Sequence, residues 1–255
     1  MKLTILGSGS FVSDLAHLGP GYLLEIGKKK ILIDAGSGVQ IQLLKLGIKI
    51  EDLDYIFITH FHNDHTSDLF SLSFRYRFLV NYFNPQIKKK IRIFGPRDIE
   101  KFFQDQFKIF RLKKYFQLKG VITKAISREI EFPEFVVQSF KVEHMQEVEC
   151  YAYRFETENK VVVFSGDTIK CQGIEQACQK TDLLIADSTL SVKNPPNPYH
   201  WNTYEIGEVC QKQKVKKVIL SHLMPQGLKY DLVSEVREKF DGEVILAKDL
   251  MKLII

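Results

Sequence analysis

Tyr55-Ile56-Phe57-Ile58-Thr59-His60-Phe61-His62-Asn63-Asp64-His65 runs from an apolar strand straight into three histidines and an aspartate within six residues. Alternate residues of a helix diverge, so His60 and His62 do not share a helical face. In a loop leaving a strand end they converge on one metal ion, while Asp64 and His65 at the following turn reach a second.

Three more metal-ligand residue types stand directly after apolar strands. His144 follows Phe135–Val142, Asp167 follows Val161–Phe164 in Ser165-Gly166-Asp167-Thr168, and His222 closes Leu220-Ser221-His222. Loops from neighbouring strand ends meet in space, so these residues are candidates for completing the same site. Asp34, near the end of an early strand, and Asp187, in Ala186-Asp187-Ser188, are candidate carboxylates for orienting ligand histidines from behind.

The rest of the chain punctuates into short β-branched runs and longer amphipathic ones. Strands are expected at Leu3–Leu6, Tyr22–Ile26, Lys30–Ile33, Tyr55–Thr59, Ile91–Phe94, Phe135–Val142, Cys150–Glu156, Val161–Ser165, Leu183–Asp187, Lys217–Ser221 and Glu243–Leu246. Helices are expected at Val39–Leu46, Thr66 to about Tyr82, Arg97–Phe107, Gly173–Cys178, Thr203–Gln213 and Leu232–Phe240. Asn202 with Glu205 has the pattern of a capping box. Strands followed by helices occur early and again late, with no Gly/Ser-rich linker between. The order predicts an α/β protein: two sheets face to face with helices outside, a four-layer αββα sandwich forming one domain over residues 1–255.

With 45% hydrophobic residues, 19 Phe and 10 Tyr among 255 residues, the chain is too apolar and aromatic to be disordered. Its longest apolar stretches run to about four residues, far short of the roughly 20 that a membrane-spanning helix needs. The start, Met1-Lys2-Leu3-Thr4-Ile5-Leu6-Gly7, is too short an apolar run for a secretory signal. The expectation is a cytoplasmic protein without membrane partners. Cys150, Cys171, Cys178 and Cys210 form no C-x-x-C pair and read as reduced thiols. The net charge of +5 permits an anionic partner without requiring one.

Between Asp68 and Asp98 no acidic residue occurs. Arg75, Arg77, Lys88, Lys89, Lys90, Arg92 and Arg97 interleave there with Phe70, Phe74, Tyr76, Phe78, Tyr82 and Phe83. Two readings compete: a surface for phosphate contact and base stacking, or a helix with a buried aromatic face and a solvated basic one, the favoured reading. Gly7-Ser8-Gly9-Ser10 similarly reads as a tight strand-end turn before it reads as an anion cradle.

The pattern H-x-H-x-D-H, a distant His144, Gly166-Asp167-Thr168 and Ser221-His222 resembles the metallo-β-lactamase superfamily, and within it the ribonuclease Z branch. Leu6-Gly7-Ser8-Gly9-Ser10, Ile33-Asp34-Ala35-Gly36-Ser37-Gly38-Val39-Gln40 and Phe94-Gly95-Pro96 carry the branch resemblance, which runs from Met1 to about His222. The resemblance implies His60, His62 and His144 on one zinc ion and Asp64, His65 and His222 on the other, with Asp167 bridging. Two Zn²⁺ per chain are thus expected, with Mn²⁺ or iron as alternatives. It also implies catalytic roles for Asp64 and for His200. The latter stands two residues before the helix cap Asn202, like the histidine of the branch's H-S-T segment, and is placed near the leaving group. Members of the branch are dimers, so a homodimer is a further expectation.

Three departures bear on substrate. Only 22 residues separate His144 from Asp167, room for two strands and a turn but not for the long tRNA-gripping arm. The first loop, Phe11-Val12-Ser13-Asp14-Leu15-Ala16-His17, lacks P-x-K-x-R-N, and Asp68 stands where the branch has the glycine of D-H-x-x-G-L. The expected activity is hydrolysis of a phosphodiester, either RNA such as a tRNA precursor at its 3′ end or a smaller cyclic or linear diester. A carbon-centred hydrolase, a lactonase or thioesterase, is the alternative on the same metal frame.

Overall fold

The computed structural model describes residues 1–12 and 14–255; Ser13 of the first loop lies outside them. The first of two seven-stranded sheets runs, in spatial order, β14 (Lys252–Ile254), β1 (Lys2–Gly7), β2 (Gly21–Ile26), β3 (Lys29–Ile33), β4 (Tyr55–Phe57), β5 (Ile91–Gly95) and β6 (Val121–Ala125). The second runs β13 (Glu243–Leu246), β12 (Lys217–Ser221), β11 (Leu183–Asp187), β10 (Val161–Phe164), β9 (Cys150–Glu156), β8 (Phe135–Val142) and β7 (Glu129–Phe132). Strands β3 to β6 and β10 to β13 are parallel and the other pairings antiparallel.

Parallel neighbours require crossovers, and the helices supply them. α1 (Val39–Lys45), α2 (Asn63–Thr66), α3 (Leu69–Phe78) and α4 (Ile99–Ile109) connect strands of the first sheet. α5 (Gln172–Ala177), α6 (Thr203–Gln213) and α7 (Leu232–Arg237) connect strands of the second.

Strand periodicity assigns side chains to three apolar layers. Tyr22, Leu24, Ile31, Ile33, Tyr55 and Phe57 point between the sheets, where they meet Phe155, Val162, Phe164 and Ile185. Their sequence neighbours Leu23, Leu32, Ile56 and Ile58 point to the other face, against Val39, Leu43, Leu72 and Phe103 of the helices. Val163, Leu184 and Val218 likewise pack on Ile174, Ile206 and Val236 outside the second sheet. Both faces of the central strands are buried, so they read as near-continuous apolar runs. The result is the expected αββα layering.

Local structure departs from expectation in two places. Strands β6, β7 and β14 are additional to those expected. The helix expected over Thr66 to about Tyr82 is broken: α2 ends at Thr66, α3 starts at Leu69, and Leu79–Phe83 is a π-helical turn. At the break, the Asp68 amide donates to the Ala35 carbonyl and its carboxylate accepts from the Gln40 amide. These bonds to the start of α1 redirect the chain.

The basic and aromatic stretch belongs to the fold. Phe70, Phe74 and Phe78 pack against Phe107, Phe110 and Tyr115. The Arg77 guanidinium is buried against Phe107 and Phe116 and donates to the carbonyls of Phe116 and Leu118. The buried-aromatic-face reading therefore holds for the rings of α3, while Arg77 departs from the solvated basic face expected, because its guanidinium is packed between rings and caps two carbonyls. The Gly7–Ser10 turn is likewise structural. A Cβ at Gly7 would lie 2.0 Å from the Gly19 carbonyl oxygen, and the Ser8 and Gly9 amides are committed to Asp249 and Leu18. All four cysteines are free thiols. No helix among the described residues is long and apolar enough to cross a membrane.

Candidate metal centre

The topology gathers strand ends. β3 and β4 run in one direction, as do β10, β11 and β12, and β8 runs parallel to β10 because both are antiparallel to β9. Their carboxyl ends meet at one edge of the sandwich, where sites of open α/β sheets lie. Asp34 follows β3, His60 to His65 follow β4, His144 follows β8, Asp167 follows β10, Asp187 ends β11 and His222 follows β12. The first sheet supplies one half of the site and the second sheet the other.

The donor atoms fall into two groups. His60, His62, His144 and Asp167 offer one set with all atoms within 4.8 Å of one another; Asp64, His65, Asp167 and His222 offer another. Asp167 serves both, one oxygen to each. Its Oδ1 lies 3.1 Å from His65 Nε2 and 3.4 Å from His222 Nε2. Its Oδ2 lies 3.8 Å from His60 Nε2 and 3.9 Å from His144 Nε2. On the other side of the second group, Asp64 Oδ2 is 3.2 Å from His222 Nε2 and 3.6 Å from His65 Nε2.

Two observations fit this set to cations. His60 Nε2 and Asp167 Oδ1 are buried with no hydrogen-bond partner, a costly condition that coordination would relieve. Ring nitrogens also face each other, His62 Nδ1 with His144 Nε2 and His65 Nε2 with His222 Nε2, both at 3.3 Å. Imidazole and carboxylate donors converging in this way suit zinc, iron or manganese.

The layer behind fixes the rings. His65 Nδ1 lies 2.8 Å from Asp34 Oδ2, and Asp34 also accepts the Thr59 amide and hydroxyl. His222 Nδ1 meets the Thr189 hydroxyl at 2.8 Å, and that hydroxyl also reaches Asp187. The Tyr199 carbonyl accepts from His144 Nδ1 at 2.8 Å. Asp34 and Asp187 were expected behind ligand histidines; Asp187 additionally holds His200 Nδ1 at 2.6 Å. Sequence reasoning missed Thr59, Thr189 and the Tyr199 carbonyl, which carry no signal of their own among ordinary loop residues. Asp34 and His222 both have positive φ, 56° and 57°. Non-glycine residues in that region cost energy and recur where a site imposes geometry.

Charge follows the geometry. Burial opposes charge on His60 and the neighbouring imidazoles add to this, so its pKa falls well below the ordinary value. Burial acts the same way on His65 and His222, but carboxylates win: Asp167 and Asp34 push His65 well above its usual value, and Asp167, Asp187 and Asp64 raise His222 to about 10. For Asp167, burial is outweighed by His222, His65 and His60, which hold the carboxyl well below its usual range. The carboxylates thus draw positive charge into this edge. Because ligands must give up protons to coordinate, cation affinity falls as pH falls.

A cleft of about 650 Å³ opens over the two groups. Phe11, Met145, Leu190, Tyr199 and Met224 contribute its apolar wall, Asn194, Asn197 and Gln226 its amides, and His62, Asp64, His144, Asp167 and His200 its floor. Among the described residues, no lysine or arginine lines it.

The two-sheet sandwich and its shared-aspartate His/Asp site define a metallo-β-lactamase-fold, metal-dependent hydrolase. Within that class, the chain belongs to the family whose model is described as Anti-Pycsar protein Apyc1, which matches residues 1–240. It is 27% identical over 254 residues to the probable metallo-hydrolase YhfI of Bacillus subtilis, covering 97% of each chain. The crystal structure of YhfI superposes with a TM-score of 0.83 at 25% identity, covering 99% of this chain and 98% of that one. A ribonuclease Z of Mycolicibacterium gilvum is 22% identical over 277 residues, covering 99% and 96%. The short form of human tRNase Z shares the fold at a TM-score of 0.77, with 22% identity and coverage of 100% and 99%. The chain is thus a metallo-hydrolase of the ribonuclease Z and YhfI type.

Proposed function

We propose that this enzyme hydrolyses a small phosphodiester, of mononucleotide size, with two divalent cations, Zn²⁺ first among them. His60, His62 and His144 would hold one, Asp64, His65 and His222 the other, and Asp167 both. The observation that carries the substrate size is the cleft. Its volume lies within the roughly 300–1,000 Å³ range of small-molecule sites, and its lining among the described residues contains none of the lysines and arginines that dominate RNA backbone binding. The absent arm between His144 and Asp167 and the packed rings of α3 weigh in the same direction.

Bound cations would supply water acidified toward a pKa of about 7 and neutralise charge on the phosphate. The chain's own groups do the rest. Phe11 and Tyr199 offer rings, and Asn194, Asn197 and Gln226 offer amides, to the group attached to the phosphate. Asp64, on the cleft floor beside His222, holds a proton-accepting oxygen next to the reacting centre. Hydrogen-bonded to Asp187 through Nδ1, His200 keeps Nε2 for the ligand and can donate a proton to the departing oxygen.

The pKa of His200 supports that role. Burial favours the neutral ring, but the Asp187 carboxylate overrides it and raises the pKa above the ordinary value of about 6.5. The protonated ring therefore persists to higher pH than in a free imidazole and disappears as pH rises through the raised value. In Asp187→Asn the alkaline limb of kcat is expected to move to lower pH, with kcat at pH 7 falling more than at pH 6. A pH–rate profile checks this, and an unmoved limb removes His200 as the acid.

The apolar wall formed by Met145, Leu190 and Met224 favours a second reading, an ester or thioester with an acyl chain. The deciding experiment incubates metal-loaded enzyme with bis(p-nitrophenyl) phosphate, a panel of cyclic mononucleotides, precursor tRNA, a lactone and an acyl thioester, with and without EDTA. EDTA-sensitive turnover of the small phosphodiesters is expected. Preference for precursor tRNA, or for the lactone or thioester, would overturn the proposed substrate class.

A further inference from the structure

Residues 191–202 cross the mouth of the cleft without regular structure, and the start of that loop and Thr203, the first residue of α6 just after it, meet one buried carboxylate. Glu235, on α7, is 3% exposed. Its Oε1 accepts the Ser191 hydroxyl at 2.7 Å. Its Oε2 accepts the Thr203 hydroxyl at 2.6 Å and the Val192 amide at 3.2 Å. Lys193 Nζ stands 3.8 Å away at the exposed edge.

The proton directions are mutually consistent. Each hydroxyl donates to the carboxylate and accepts an amide, Ser191 from Lys193 and Thr203 from Val192. The Thr203 amide returns to the Leu190 carbonyl, and Leu190 bridges Asn202, which closes the loop at its base.

What the loop carries gives the closure its consequence. Asn194, Pro195, Pro196, Asn197 and Tyr199 form one wall of the cleft. The Tyr199 carbonyl orients His144, and His200 lies against Asp187. Trp201 then plugs the loop into the interior: it is fully buried, its amide donates to Thr168 and its indole N–H to the Asp187 carbonyl. A buried carboxylate gathering three donors is strong because each bond is charge-assisted and shielded from water.

We propose that Glu235 is a positioning residue. Its carboxylate ties the two ends of the 191–203 loop and so fixes the cleft wall and His200 relative to the metal centre. It touches neither substrate nor cation.

Trp201 is the only tryptophan of the chain, which makes it a reporter inside the loop. In Glu235→Ala, acrylamide quenching of its fluorescence is expected to rise several-fold, and hydrogen exchange at residues 192–200 to quicken. Turnover should lose at least tenfold in kcat/KM, with KM raised by the loosened cleft wall and kcat lowered by the misplaced His200, and with metal content retained. Glu235→Gln keeps the shape and one acceptor oxygen and should restore part of both readouts.

Should Glu235→Ala fail to fold, Thr203→Val and Ser191→Ala each remove one donor and should each give part of the quenching change. A Trp201 as shielded as in wild type, with unchanged exchange over 192–200 in the folded variants, would overturn the proposal. The quenching and exchange measurements need no substrate. They therefore fail or succeed separately from the phosphodiester reading.

Discussion

Replacing Asp167 with alanine is expected to abolish turnover, with kcat/KM lower by roughly 10³-fold or more and metal content reduced. Among the described residues the carboxylate is the one group shared by both donor sets, with Oδ1 facing His65 and His222 and Oδ2 facing His60 and His144. Under the proposed assignment its loss would remove a ligand from each set at once, and it would leave His60 and His144 without a carboxylate neighbour. Loss of paired-cation stabilisation is worth several kcal/mol at the transition state, and about 1.4 kcal/mol corresponds to each factor of ten. Asp167→Asn keeps an oxygen on one side only, so it should lose activity while retaining more metal than the alanine variant. Metal analysis alongside steady-state kinetics checks both. An alanine variant within tenfold of wild type would mean that neither set depends on the shared carboxylate.

His200→Ala is expected to lower kcat by about 10²–10⁴, the usual worth of a positioned general acid. The size should depend on the leaving group. p-Nitrophenolate departs without help, so its ester should lose little; an alkoxide, as in a sugar phosphodiester, needs the proton and should lose the full amount. Equal losses on both would exclude proton donation and leave His200 as a binding group. The fold should tolerate the change, because the ring lies at the cleft floor and the adjacent Trp201 keeps its own anchors.

The sandwich was legible because its inner strands are buried on both faces. Val161-Val162-Val163-Phe164 and Leu183-Leu184-Ile185-Ala186 need no context to read as strands. The three strands that escaped are of another kind. Glu129-Ile130-Glu131-Phe132 and Val121-Ile122-Thr123-Lys124-Ala125 are edge strands without a single fully buried residue. Lys252-Leu253-Ile254 is three residues long and exists by pairing with a partner some 250 positions away.

The break before Leu69 escaped for a similar reason. No glycine or proline marks it; the cause is the tie between Asp68 and α1.

In the site, His60, His62, Asp64 and His65 announce themselves by spacing. His144, Asp167 and His222 do so by standing where strands stop. Glu235 was invisible: a lone glutamate in Leu232-Val233-Ser234-Glu235-Val236-Arg237 reads as a solvated helix residue, and only the loop folded over it changes that reading.

The donor groups come from both sheets, His60 to His65 from one and His144, Asp167 and His222 from the other. A cation held there rivets the two leaves of the sandwich across their open rim. Anything that binds the native state alone adds to its stability, by about 2.7 kcal/mol at a hundredfold excess over the dissociation constant. Resistance to unfolding is therefore expected to gauge cation supply across that rim.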